Sequence, residues 1–177
     1  MRALDVRTIA GDPNTLDALS DLLVETVASG GSVSFMHPLS RDDARAFWSN
    51  SFAAVAHGER IIFGAFDGEN LVGTVTLFTA FPPNQPHRAE IGKLMTAVSH
   101  RGRGIASALM REAEQAALGL GKWHLVLDTA TEDGAAGLYE RLGFVRAGEI
   151  PDFALKPHGG LTGTIVFYKR LAAGAQA

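Results

Sequence analysis

The sequence predicts a single α/β domain with the element order β-α-α-β-β-β-α-β-α-β-β. Three observations carry that expectation. Apolar residues recur at helical spacing in some stretches and alternate or run together in others, and the two patterns follow one another in that order. Nearly every change of period is marked by a glycine, or by an Asp or Ser suited to cap a helix. The 177 residues fit one domain, with no internal repeat and no linker wide enough to divide them.

Leu4 to Ile9 alternates weakly and reads as a first strand. Asp12 as N-cap and Pro13 in the first turn start a helix, which continues through Leu16, Leu19, Leu23 and Val27 until Gly30 and Gly31 end it. Residues 30–39 form a loop carrying Phe35, Met36 and His37. Ser40 opens a second helix, with Asp43 completing a capping-box-like pair. Its apolar side runs through Ala44, Phe47, Trp48, Phe52 and Val55 to a stop at Gly58. The period then falls to two. Arg60 to Phe66 and Leu71 to Thr79 read as a hairpin around the turn of residues 67–70. After a proline-rich loop, Ala89 to Val98 reads as a strand. Residues 99–104 form a turn rich in Arg and Gly, and Ile105, Leu109, Ala113, Ala116 and Leu120 define a third helix closed by Gly119 and Gly121. His124 to Thr129 is a buried-type strand, and Ala135 to Leu142 a short helix ended by Gly143. Val145 to Glu149 and Thr164 to Lys169 are the last strands, around a Gly/Pro-rich loop. Residues 172–177 read as a frayed tail.

Composition removes several function classes. Cysteine is absent, which excludes a disulfide scaffold, a thiolate zinc site, an iron–sulfur cluster and a cysteine nucleophile. His37, His57, His87, His100, His124 and His158 show no metal-ligand spacing, so no metal is expected. The net charge is −3 at pH 7, whereas a general nucleic-acid binder needs a basic surplus. Arg101, Arg103 and Arg111 belong to one turn and helix and do not supply one. The longest apolar run, Phe52 to Ala56, falls far short of the roughly 20 residues of a spanning helix. The N-terminus has no apolar stretch suited to a signal peptide. The expectation is a cytoplasmic protein with neither nucleic acid nor membrane as partner.

The most informative segment is Arg88 to Met110, a strand, a Gly/Arg turn and the first turns of a helix. That is how a chain builds an anion site. Unpaired N–H groups at a helix start point outward, and the helix dipole favours negative charge there. Gly102 and Gly104 permit close approach of the backbone, and Arg101 and Arg103 add charge. A basic surface turn that merely begins a helix is the competing reading. The nucleotide motifs do not fit. Gly92-Lys93 and Gly121-Lys122 lack a glycine five residues upstream, and Ser107 stands where a dinucleotide fingerprint requires its third glycine.

The turn Arg101-Gly102-Arg103-Gly104-Ile105-Ala106 resembles the R/Q-x-x-G-x-G/A motif of the GNAT superfamily of N-acetyltransferases. The resemblance implies that its backbone amides, through Ile105 and Ala106, hold the pyrophosphate of acetyl-CoA. It also implies that the strand Leu94-Met95-Thr96 hydrogen-bonds the pantetheine arm. The segment from Ala135 through Leu138 and Tyr139 to Gly143 and Phe144 resembles the family's A-x-x-L/F-Y-x-x-x-G-F signature. The likeness covers nearly the whole chain. It implies the GNAT fold, a central mixed, mostly antiparallel, twisted sheet flanked by helices. Within the family the chain looks most like the tabtoxin-resistance type, through residues 25–36, 88–95 and 148–153. Two positions depart from the pattern. Glu132 replaces the asparagine common seven residues before the tyrosine, which weakens an expected cofactor contact, and Ala106 stands for the commoner glycine.

Acetylating an amine requires removal of its proton, an oriented thioester, a donor for the oxyanion, and a proton for the leaving thiolate. Tyr139 is the candidate acid, since a phenol with a pKa near 10 remains protonated; the alternative is a helix tyrosine that packs the core. Glu90 is the candidate base. Simple alternation places it on the same face as Leu94, and its alternative is an exposed carboxylate paired with Arg88 or Lys93. Asp128 is the rival base, where partial burial at the end of an apolar strand raises a carboxyl pKa; its alternative is a strand-end cap. A backbone N–H near Met95 is the expected oxyanion donor. Phe35, His37, Asp152 and Phe153 are placed by the resemblance in two loops flanking the acceptor cleft, where Asp152 suits an ammonium or guanidinium group; the alternative is that they are ordinary loop residues.

The reading is an acetyl-CoA-dependent N-acetyltransferase acting on a primary amine of a small molecule or amino acid, a toxin or antibiotic included. A non-catalytic acyl-CoA-binding regulatory module is the alternative. The family likeness also implies a homodimer.

Overall fold

The computed structural model describes residues 4–132 and 134–172. Its elements are β1 (Asp5–Thr8), α1 (Pro13–Ala28), α2 (Arg41–Ala56), β2 (Arg60–Asp67), β3 (Asn70–Phe78), β4 (Arg88–Thr96), α3 (Ile105–Gly119), β5 (His124–Ala130), α4 (Ala136–Arg141), β6 (Val145–Leu155) and β7 (Leu161–Arg170). This is the predicted order. The caps form where their chemistry stands. The Asp12 carboxylate accepts from the amides of Asn14 and Thr15, and Ser40 Oγ accepts from the Asp43 amide while donating to its carboxylate.

The strands form one sheet in the order β1-β2-β3-β4-β5-β7-β6. Only β4 and β5 are parallel; every other pair is antiparallel. The two sheet faces carry two cores. On one face, Ile105, Leu109, Met110, Ala113 and Ala117 of α3 pack against Phe63, Val75, Leu77 and Ile91. On the other, Leu19, Leu22, Leu23 and Val27 of α1 and Ala44 and Trp48 of α2 pack with Ile62 and Met95. Trp48 is fully buried, and its Nε1–H donates to the Leu19 carbonyl at 3.0 Å, so the bulk of α2 is locked to α1 by a satisfied donor.

Two expectations change. The strand expected to reach Val98 ends at Thr96, and Val98–His100 form a 3₁₀ turn. The Val98 amide donates to Glu25 Oε2 at 3.1 Å, a partner on α1 that draws the chain away from the sheet. The Gly/Pro-rich loop expected between the last strands is mostly strand, because β6 runs on to Leu155 and β7 begins at Leu161. Pro151 is tolerated there because β6 is the sheet edge and the register shifts between Ile150 and Ala154, where a missing N–H costs no ladder bond. Of the expected frayed tail, residues 173–177 lie outside the described residues. No helix among the described residues is long and apolar enough to cross a membrane.

Replacing Trp48 by alanine empties the contact between α1 and α2 and removes the second hydrogen bond accepted by the Leu19 carbonyl. Urea unfolding of Trp48→Ala is expected to show a loss of about 3–5 kcal/mol, and a loss under about 1 kcal/mol contradicts this packing role.

Candidate active site

The β4–β5 ladder has three pairs and ends at Glu90↔Val126. Both strands continue, β4 to Thr96 and β5 to Ala130, so they part and leave a wedge. The wedge opens into a cleft of about 840 Å³ lined by β4, β5, the residue 100–107 turn, α4, the loop after α1, and the β6–β7 hairpin.

A bulge shapes the β4 wall. Thr76 pairs with Gly92 and Thr74 with Met95, so β4 holds one residue more than β3 over this span. Lys93 absorbs it in a left-handed conformation, φ 52. The extra residue reverses the faces. Glu90, Gly92 and Met95 stand opposite Phe78, Thr76 and Thr74 and share one face, while Leu94 turns to the α3 side with Ile91. The expectation that Glu90 shares a face with Leu94 is therefore corrected. Alternation fails because period two does not survive an inserted residue. Gly92 has a reason of its own, since a Cβ there would lie 2.8 Å from the Phe78 ring.

At one end of the cleft stands the Gly/Arg turn. Gly102 and Gly104 have φ 76 and 78, and a Cβ on either would meet nothing within 4 Å. The left-handed backbone, with open space above it, is what calls for glycine. Gly104 is also the N-cap of α3, so no side chain satisfies the first-turn amides, which lie at the positive end of the helix dipole. Arg101, Ile105, Ala106 and Ser107 line the cleft here, and Arg101 also donates to Ser29 Oγ at 3.2 Å. Arg103 is exposed and is not part of the lining.

Tyr139 is 7% exposed and lines the cleft. Its ring packs against Phe144 and Phe167, with centroids at 6.0 and 5.8 Å, so core packing and cleft access coexist. Glu90 also lines the cleft. Its Oε2 accepts from Arg88 at 2.7 Å, and no protein donor reaches Oε1 among the described residues. Asp128 lines the opposite wall, where its Oδ2 accepts from Thr164 Oγ1 at 2.7 Å. The expected partial burial of Asp128 is corrected, for it is exposed, because the splay of β5 from β4 removes the cover a paired strand would give.

Of the residues expected at the acceptor, Phe35 and Phe153 line the cleft. His37 and Asp152 do not. The His37 amide donates to the Pro157 carbonyl at 2.9 Å and its ring lies 4.5 Å from that of His158, which clasps the loop after α1 to the β6–β7 hairpin. Asp152 is an exposed residue of β6, on a strand where a loop was expected. Glu132 is exposed, also outside the lining, and paired with Lys156 at 2.9 Å. Sequence reasoning named Lys93 only as an ion-pair partner for Glu90. Its ammonium instead crosses to the loop after α1 and donates to Val33 O and Ser34 Oγ, both at 2.9 Å. No periodicity signals that reach, because it depends on the bulge. Among the described residues there is no group of three or more His, Asp or Glu suited to a metal.

A family model, the acetyltransferase (GNAT) family, matches residues 24–144, from α1 through the turn at Gly102 and Gly104 to Phe144. The chain belongs to the GNAT family. The rat protein N-acetyltransferase 8B is 39% identical over 87 residues, which are 48% of this chain and 39% of that protein. The chain spans less than half the length of the curated relatives it matches. Among solved structures, an N-acetyltransferase from Staphylococcus aureus Mu50 superimposes with a TM-score of 0.80 at 19% identity, over 96% of this chain and 99% of that one. The Salmonella typhimurium protein yncA, solved with its cofactor acetyl-CoA, gives 0.76 at 16% identity, over 99% of this chain and 100% of that one. These likenesses establish the GNAT fold.

Uncapped amides and two left-handed glycines face open space, an arrangement that can take an anion, and beyond Glu90 the β5-facing edge of β4 has no ladder partner among the described residues, which leaves its amides and carbonyls open to an extended chain.

Burial holds the Lys93 ammonium below the ordinary lysine value of 10.5; Asp128 opposes that shift and Arg60 adds to it. Between the lowered value and 10.5 the unfolded chain binds more protons than the folded one, so stability rises with pH across that window. Thermal melts of the wild type and Lys93→Met at about pH 8 and about pH 10.5 are expected to show the wild type gaining on the variant at the higher pH. A constant difference would mean that Lys93 is not desolvated.

Proposed function

We propose that the chain moves an acetyl group from acetyl-CoA to a primary amine of a small molecule or amino acid, by direct attack in a ternary complex. One observation carries this: a single cleft joins an uncapped, glycine-bearing helix start to a tyrosine and two carboxylates. Acetyl-CoA, when bound, supplies the activated acetyl group and a thiolate leaving group. The amides of Gly104, Ile105 and Ala106, with Arg101, hold its diphosphate, and the β4 edge at Leu94, Met95 and Thr96 aligns its arm. Tyr139 gives a proton to the departing sulfur. Glu90, held on one oxygen by Arg88, or Asp128, held by Thr164, takes the amine's proton directly or through water. A backbone N–H near Met95 donates to the acetyl oxygen.

The three segments that resemble the tabtoxin-resistance type contribute Phe35, Glu90 to Met95, and Phe153 to the cleft walls. That supports a toxin or antibiotic amine as a lead for the acceptor, and the composition supports a cytoplasmic site of action. The pairing of Glu132 with Lys156, away from the lining, is what favours the other reading, a regulatory acyl-CoA-binding module. Turnover decides between them. With acetyl-CoA and an amine panel, followed by release of free thiol, Tyr139→Phe is expected to lower kcat by about a hundredfold or more. Gly104→Glu is expected to abolish acetyl-CoA binding in calorimetry. If both variants turn over as the wild type does, the assigned roles are wrong.

The homodimer is supported by β6, an edge strand exposed along its whole length. Val145, Ile150, Phe153 and Leu155 are each about half exposed on it, more apolar surface than an isolated edge normally shows. Sedimentation is expected to report a dimer, and the double variant Ile150→Lys, Leu155→Lys a monomer. A monomeric wild type removes this part of the reading.

A further inference from the structure

The acceptor end of the cleft holds a cation that acetyl transfer does not require. Lys93 lines the cleft together with Glu90 and Asp128. Its ammonium has three N–H donors. Two are fixed on Val33 O and Ser34 Oγ, and among the described residues no protein acceptor takes the third. The Phe35 and Phe47 ring centroids lie 5.9 and 5.8 Å from Nζ, so two aromatic rings border the charge.

The placement is imposed by the backbone. Among the described residues, the non-glycine positions with positive φ are Ser34, Lys93 and Asp152, at 73, 52 and 52. Ser34 and Lys93 line the cleft, and Asp152 adjoins the lining residue Phe153. Ser34 precedes Phe35 and Asp152 precedes Phe153, the two rings of the acceptor wall, and Ser34 and Lys93 are bonded to each other. Left-handed backbone is unfavourable for residues with side chains, and its concentration around one opening marks a constrained site.

The charges are arranged in two sets. Glu90 and Lys93 line the cleft from β4 and Asp128 from β5, so two carboxylates for the amine and an ammonium with one open donor share one opening. An acceptor carrying both an amine and a carboxylate satisfies both sets. A plain amine leaves the Lys93 donor unmet in a poorly hydrated place, and a polyamine brings a second cation against it, which is costly where screening is weak. We propose that Lys93 is the acceptor-specificity residue of this enzyme: its free N–H binds a carboxylate of the acceptor, so the substrate is an amino acid-like amine rather than a simple amine or polyamine. The inference rests on the acetyl-transfer reading above and goes beyond it by fixing the acceptor's second functional group.

The test uses the full chain, saturating acetyl-CoA and matched acceptors: L-leucine, L-leucinamide and 3-methylbutylamine; L-phenylalanine, its amide and phenethylamine; and spermidine. For the better of the two series, kcat/KM for the acid is expected to exceed that for its amide by about tenfold or more, the scale of a charge-assisted bond in a dry site. Lys93→Met is expected to bring that ratio to within about threefold, and Lys93→Arg to retain most of it. A merely structural lysine would change all acceptors together and leave the ratio intact. If Lys93→Met does not fold, Lys93→Gln, which keeps a donor for the loop, takes its place. The proposal is overturned if the wild type prefers the amide, the amine or spermidine, if the ratio survives the loss of the charge, or if no acid is turned over. The acetyl-transfer reading is judged separately, by acetyl-CoA binding in calorimetry and by turnover of the amide and amine arms.

Discussion

The molecule depends on a sheet that pairs two strands and then lets them part. β4 and β5 share a ladder only from Arg88↔His124 to Glu90↔Val126. Had the ladder continued, the edge of β4 would be filled by β5 and no cleft would exist. What prevents continuation is visible on the other edge of β4. The bulge at Lys93 inserts a residue against β3, and a bulge bends and over-twists the strand that carries it. β5 answers to a different partner, a long uninterrupted antiparallel ladder with β7. One strand is bent by its bulge and the other held straight by its neighbour, so they separate just beyond Glu90 and Val126.

The helix start that faces the wedge is held by contacts far away in sequence. The Val98 amide is taken by Glu25 and the Arg101 guanidinium by Ser29, both at the C-terminal end of α1. The turn is thereby fixed without any side chain capping α3. This matters physically, because a Ser or Asp cap would consume the same amides that an anion needs. A Gly N-cap leaves them available, and stability lost at the cap is offset by the α3 packing of Ile105, Leu109 and Met110 into the core.

Much of this was legible in the sequence, and the limits have physical causes. Element order followed from period changes and from caps such as Asp12 and Ser40, because these are local signals. The Gly/Arg turn was legible because left-handed backbone strongly favours glycine, and Gly102 and Gly104 both adopt it. The bulge was not. Gly92, Lys93 and Leu94 look like ordinary strand, and the reversal of faces that turns Glu90 from Leu94 arises only from pairing with Thr74 and Thr76. β6 was underestimated for a related reason. Pro151 reads as a loop until the strand is known to be an edge, where its missing N–H is harmless. His37 was placed at the cleft by resemblance, but its contact with His158 is a meeting of two loops more than a hundred residues apart, which no local pattern encodes.

The same dependence on pairing explains why the two carboxylates are not equivalent. Glu90 stands at the last rung of the β4–β5 ladder, with Arg88 two residues back along β4 and donating to it, so its carboxylate is fixed by its own strand. Asp128 lies two residues past that rung on β5, is exposed, and is fixed by Thr164 from β7, which stands opposite Ala130 at the far end of their ladder. Glu90 is therefore positioned by the closed part of the sheet and Asp128 by the open part. Any change in the splay moves Asp128 relative to Glu90 while leaving the Arg88–Glu90 pair in place. The wedge thus sets the distance between the two carboxylates, and the width of the cleft and their spacing are one geometric quantity.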